Sequence, residues 1–174
     1  FSNYGSSVGA FDSAVIDAII TFFMVLFGIN FALFYRVLVG GWRDALRSEE
    51  LHWYLALFAG STLFVSLMIL PQHGTFLNAL RYGSFQVATI MSTTGYATAD
   101  FNLWPQAVKA LIVVLMFIGS CAGSTAGGIK VVRVGILCKL GCREVRRTFQ
   151  PRKVQVVRFE GKGVEENRLT QVSA

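Results

Sequence analysis

The sequence predicts an all-α membrane protein, and three observations carry that prediction. Of its 174 residues, 53% are hydrophobic and only 15% are charged, against about 25% charged in an ordinary soluble domain. The apolar residues come in blocks long enough to cross a bilayer. The charge is unevenly placed: residues 1–100 hold 4 Lys/Arg against 6 Asp/Glu, whereas residues 101–174 hold 12 against 4. A basic end behind apolar blocks fits the cytoplasmic face of a membrane better than a nucleic acid. The mean hydropathy of +0.53 excludes charge-driven disorder for most of the chain and argues against a free-standing soluble enzyme.

Residues 1–13 carry no Lys or Arg and are read as an outside loop. The opening Phe1-Ser2-Asn3 has neither an initiator Met nor a basic stretch. It reads as an internal piece of a longer protein, not as a signal peptide. Residues 14–36 form the first expected span, with Asp17 as the one acid near its start. Arg36, Arg43 and Arg47 place the 37–50 connection inside. Residues 51–71 form the second span, with Trp53 and Tyr54 at its start and Pro71 expected to end it.

The third apolar block, residues 76–91, is too short and too polar for an ordinary span, because it carries Asn78, Arg81 and Gln86. At about 1.5 Å per residue it covers roughly 24 Å, so it enters the membrane part way. A re-entrant half-helix fits, with an amphipathic helix on the outer surface as the alternative. Residues 92–100 (Ser-Thr-Thr-Gly-Tyr-Ala-Thr-Ala-Asp) are small, polar and glycine-bearing, and read as extended backbone. Such backbone is tolerated at membrane depth only where it lines a cavity or is buried in protein. Residues 76–100 therefore read as a pore helix and filter.

Residues 103–142 would make a helix of more than about 50 Å if continuous, thicker than the hydrocarbon core. The stretch 119–128 contains Gly119, Gly123, Gly127 and Gly128 together with Ser120, Ser124 and Thr125, which is poor helix material. The reading is a span broken by an intramembrane loop; close packing of neighbouring helices on small residues is the alternative. Lys130, Arg133, Lys139, Arg143, Arg146, Arg147, Arg152 and Lys153 put the carboxyl side inside. Both ends obey that rule only if residues 76–100 enter and leave on the outside. Residues 143–174 read as a soluble cytoplasmic connection, β-prone at 154–159 with a turn at 160–163, serving as a linker or a docking strand.

The chemistry this suggests is ion passage. A K⁺-channel filter follows Thr-Val-Gly-Tyr-Gly, whose carbonyls replace the hydration shell of the ion. Here the run is Thr93-Thr94-Gly95-Tyr96-Ala97, matching at Thr93, Gly95 and Tyr96, with β-branched Thr94 for Val and Ala97 in place of the last glycine. A phosphate-binding loop is excluded at residues 123–130, because Ile129 separates Gly128 from Lys130 and Val131 follows the lysine. No catalytic triad or paired acid suggests hydrolysis. His52 and His73 read as interfacial. Cys121, Cys138 and Cys142 have no metal-site spacing and read as reduced thiols.

These residues resemble the membrane subunits of the Trk/Ktr/HKT superfamily of potassium transporters, TrkH-like members above all. The carrying residues are the run 93–100, the segment 118–133 and Gly9-Ala10-Phe11-Asp12-Ser13. The resemblance implies K⁺-channel-like M1–P–M2 repeats around a pore, each with a pore helix and a filter strand. This chain would hold the last helix of the second repeat and all of the third, including its broken M2 helix. It implies backbone coordination of K⁺ at Thr93, Thr94, Gly95, Tyr96 and Ala97. It also implies a gate at Gly119, Gly123, Ser124, Thr125, Gly127 and Gly128.

The expected function is potassium uptake through a gated pore in the inner (plasma) membrane, with symport as a family property and no organic cofactor. Expected partners are K⁺ with some Na⁺, the lipid bilayer, a nucleotide-binding RCK-type regulatory subunit, and a second copy in a homodimer; no nucleic acid is expected. Anionic lipid at Arg143, Arg146 and Arg147 is the other reading of the basic end. From a different class, a non-conducting membrane assembly or sensor module would use the same helices, but would have no reason to keep Thr93–Ala97 open to ions.

Overall fold

The computed structural model describes residues 5–149, 158–159 and 162–163. Helices dominate. A 3₁₀ turn at Ser7–Phe11 precedes α1 (Ala14–Phe27) and α2 (Phe31–Leu38). Then come α3 (Trp42–Leu46), α4 (Glu49–His73), α5 (Phe76–Met91), α6 (Gln106–Phe117) and α7 (Val131–Phe149). A minimal ladder closes the described part, β1 (Arg158–Phe159) antiparallel to β2 (Lys162–Gly163). It falls where a β-prone stretch and a turn were expected; the rest of 154–163 lies outside the described residues.

The core sits where α4, α5 and α6 meet. Val65 and Ile69 of α4, Ala79, Val87 and Met91 of α5, and Val108 and Leu115 of α6 pack there. Helices α4 and α5 form an antiparallel hairpin with the closest approach at small residues, where the buried Ser66 hydroxyl donates to the Ala79 carbonyl across 3.3 Å. Around this core, α1, α4 and α6 present Phe22, Phe23, Leu63, Leu67, Val113 and Phe117 outward, leaving broad apolar faces for lipid or neighbouring helices.

Four boundaries differ from expectation. The 14–36 block is not one helix: it breaks at Gly28–Asn30, and α1 and α2 are bent by 89°. Asn30 explains the restart, since its side chain accepts from the Ala32 N–H at 2.9 Å and caps α2. Pro71 does not end α4, which continues to His73; the missing bond and the ring clash of a proline fall on the turn before it, so Gln72 and His73 still close the helix, and Gly74, with φ +70° and ψ −35°, stops it. Helix α7 runs through Phe149 and is not finished at 142. The break before it, residues 118–130, is wider than 119–128. Among the described residues only α4 is by itself long and apolar enough to cross a bilayer, and the bent pair α1–α2 passes the same test as one unit.

Candidate functional site

Helix α5 occupies the expected 76–91 and delivers the site at its carboxyl end. The Thr93 N–H bonds Ile90 O at 3.1 Å and the Thr94 N–H bonds Thr89 O at 3.0 Å. This pair is a Schellman termination, with Thr93 in the left-handed position that glycine normally takes. Thr93 has φ +54°, a conformation costing about 1–2 kcal/mol for an L-residue with a Cβ. Gly95 follows at φ +83°, where the absence of a Cβ removes the penalty. The run is therefore not the extended strand expected of it. Positive φ thus recurs at alternate residues, Thr93 and Gly95.

This geometry leaves backbone oxygen available. No described donor reaches the carbonyls of Thr93, Thr94, Gly95 or Tyr96, and Thr93, Gly95 and Tyr96 lie on an exposed face. Ala97 differs from the other four. Its carbonyl accepts the Gly9 N–H at 3.1 Å and its own N–H donates to Ser7 Oγ at 3.4 Å, so it is held sideways against the first segment. The partial negative charge at the end of α5 points at the run and favours a cation there. Below it, a groove of about 500 Å³ is bounded by Ile20, Phe23, Phe27, Thr94, Tyr96 and Thr125.

Farther from the carbonyls, α5 is anchored by charge. Arg81 Nε donates to Asp17 Oδ2 of α1 at 2.6 Å, and Asp12 Oδ1 lies 3.5 Å from the same guanidinium. Asp17 is only 3% exposed. Pairing keeps its charge tolerable there, since a lone buried carboxylate is costly.

The glycine-rich break lies directly against this run. Its two ends pair as a parallel bridge, Ile118 with Ile129. The Gly119 N–H bonds Ile129 O at 2.8 Å and the Ile129 N–H bonds Phe117 O at 2.9 Å. Between these ends the Gly127 N–H donates to Thr93 Oγ1 at 3.1 Å, and Ser120 Oγ donates to Met91 O at 2.9 Å. Lys130 Nζ folds back onto the Ala126 carbonyl. Of the residues expected to gate, Ser124 bonds within the loop to Cys121 O at 2.7 Å, and Thr125 Oγ1 reaches Phe27 O at 3.4 Å.

The loop also docks on the α1–α2 break. The Cys121 N–H bonds Gly28 O at 3.1 Å and the Phe31 N–H bonds Gly123 O at 3.3 Å. Glu50, Asn30, Ser7 and Gly9 all touch the filter run or the loop, and sequence reasoning singled out none of them for a site. One signal was available: Asn30 interrupts a membrane-grade apolar run, where a polar side chain needs a partner. His52 and His73 stay apart from this assembly, and no cluster of metal-ligating side chains occurs among the described residues.

With this geometry in hand, comparison with known proteins is informative. A family model described as TrkH, cation transport protein, matches residues 1–172. The Trk system potassium uptake protein TrkH of Halomonas elongata is 35% identical over 166 residues, which is 91% of this chain and 33% of that protein. Its Escherichia coli K12 namesake is 32% identical over 99% of this chain and 36% of its own length. The crystal structure of the potassium transporter TrkH from Vibrio parahaemolyticus superposes with a TM-score of 0.91 at 30% identity, covering 99% of this chain and 38% of that one. The chain thus spans about a third of the length of these relatives.

Proposed function

Because the chain belongs to the TrkH family of cation transport proteins, we propose that it forms the third repeat, together with the last helix of the second, of a gated potassium-uptake pore completed by the remaining repeats of a full-length polypeptide. One observation carries this: the carbonyls of Thr93–Tyr96 meet no donor among the described residues, in a run exposed at Thr93, Gly95 and Tyr96 that sits at the end of a half-helix. Carbonyls without partners are stable at membrane depth only if water or an ion meets them. A ring of them exchanges for the hydration shell of K⁺. The open face is the one that the other repeats would close.

In this reading residues 93–96 supply backbone ligands and Ala97 only borders the filter. The loop at 118–130 lies across the inner mouth, bonded to Thr93, and acts as the gate. Residues 1–13 and 71–102 lie on the outer side, with 76–100 dipping into the membrane and returning, and residues 36–50 and 139–174 lie inside, in a multi-pass inner-membrane protein. The basic α7 end faces a nucleotide-binding RCK-type subunit, and the full-length protein pairs as a homodimer. Glutamate at Arg146 and Arg147 should weaken co-purification of that regulator; unchanged binding leaves anionic lipid as the partner of this end.

The deciding experiment is monovalent-cation flux in liposomes with the full-length protein. Alanine at Gly95 meets no atom within 4 Å, so Gly95→Ala acts through backbone conformation alone. At φ +83° the added Cβ costs about 1–2 kcal/mol, which works against the conformation that aims the carbonyls and should lower K⁺/Na⁺ discrimination. Wild-type selectivity and flux in Gly95→Ala would sink the filter assignment. A non-conducting assembly module would show no K⁺ flux in either protein.

A further inference from the structure

Resting on the reading of residues 118–130 as a gate, we propose that Glu50, with Asn30, is the clasp that holds the gating loop against the α1–α2 break. Glu50 is in the first turn of α4 and is 4% exposed. Its Oε1 accepts the Ala122 N–H at 2.5 Å, and its Oε2 accepts Asn30 Nδ2 at 3.2 Å. Asn30 is itself oriented, because its Oδ1 is already committed to the Ala32 N–H. Both partners of Glu50 are donors, so the ionised, acceptor-only carboxylate fits the site. Among the described residues no Lys, Arg or His forms an ion pair with it. The neighbouring Glu49 pairs instead with Lys139 of α7 at 2.5 Å.

The location gives this carboxylate its leverage. Ala122 lies between Cys121 and Gly123, which make the two backbone bonds to Gly28 and Phe31. Glu50 is the side chain that reaches the middle of that contact. Hydrogen bonds to an ionised acceptor are roughly twice as strong as neutral ones, and the start of α4 favours a negative charge. Three elements far apart in sequence, the α1–α2 break, the start of α4 and the loop, converge on one carboxylate. Glu50 is a positioning residue: it touches the loop, not the ion.

The protein contains its own reporter. Cys121 is fully buried in the docked part of the loop, whereas Cys138 and Cys142 are exposed. In the full-length protein with every cysteine other than Cys121 changed to serine, Cys138 and Cys142 included, the rate of Cys121 modification by a small methanethiosulfonate reads release of the loop without any transport. Glu50→Ala should raise that rate by about tenfold, the loss of one charge-assisted bond. Glu50→Gln combined with Asn30→Asp moves the charge across the pair and preserves all three hydrogen bonds. It should bring the rate back toward wild type, and it guards against a Glu50→Ala protein that fails to fold. An unchanged Cys121 rate in folded Glu50→Ala, or a raised rate that the paired exchange leaves uncorrected, overturns the clasp. K⁺ flux in the same variants addresses the gate separately. A faster Cys121 with unaltered flux leaves the clasp standing and removes the gate reading.

Discussion

Two interruptions of helix face each other in this molecule, and they are made differently. The break between α6 and α7 spans residues 118–130 and is rich in glycine and hydroxyl side chains. The break between α1 and α2 is three residues long inside an apolar run, yet it turns the chain by 89°. The long break holds its shape through its own end-to-end pairing and through bonds to its neighbours. The short one is set by a single capping asparagine and by the loop that docks on it. Composition therefore announces a loop that makes its own structure, but not a kink whose purpose is to receive another segment.

Deleting Ala122 to Ala126 is the strongest way to break this pairing. It removes the Gly123 carbonyl and the Thr125 hydroxyl, two of the contacts that join the two breaks, and with them the Ala122 amide that Glu50 holds. At about 1 kcal/mol per ordinary hydrogen bond, and more for the one to Glu50, the docked state loses several kcal/mol. Flux under conditions where the wild type is shut should rise by more than about tenfold. The filter is untouched, so K⁺/Na⁺ selectivity should hold; a folded deletion protein with wild-type flux would make the loop a packing break only.

Gly28→Ala probes the short break. A Cβ there would fall on the Tyr54 hydroxyl and 2.9 Å from Ser120 Oγ. Overpacking of this kind costs about 1–3 kcal/mol, so the melting temperature of the purified protein should drop. Tyr54→Phe in the same background should recover part of the loss, since the offending atom is removed along with its bond to Val25 O. Equal destabilisation with and without Tyr54→Phe would mean that the backbone, and not this contact, sets the kink.

Thr93→Val gives the smallest effect and the finest test. Valine keeps the shape and removes the acceptor of the Gly127 N–H. About 1 kcal/mol is at stake, so shut-state flux should rise severalfold. No change in shut-state leak would show that this bond does not help seat the loop.

How far these features could be read in advance follows the same division. The bounds of α5 were readable because a short polar-spotted block cannot span, and its polar tail has no helix signal. The long break was readable from its glycines. The kink at Gly28–Asn30 was hidden because hydropathy averages over an isolated glycine and asparagine, and what bends the chain there lies some ninety residues away at Gly123. Glu49 and Glu50 are adjacent acids that the sequence does not tell apart, and only the fold reveals that Glu50 turns inward. The Asp17–Arg81 pair, 64 positions apart, carries no spacing signal at all. Pro71 misled because a proline near the end of a helix reads as a stop, whereas the final turn can still close after it.

The parallel bridge between Ile118 and Ile129 has a mechanical consequence. The Val131 N–H bonds Ser120 O at 3.2 Å just beyond it, so the entry and exit of the loop are fastened together as α7 begins. The excursion between them is a side branch: α6 hands over to α7 through the bridge, whatever position the branch takes. Motion of the branch requires no bending of the span, and its stiffness is decided by the few bonds at its rim.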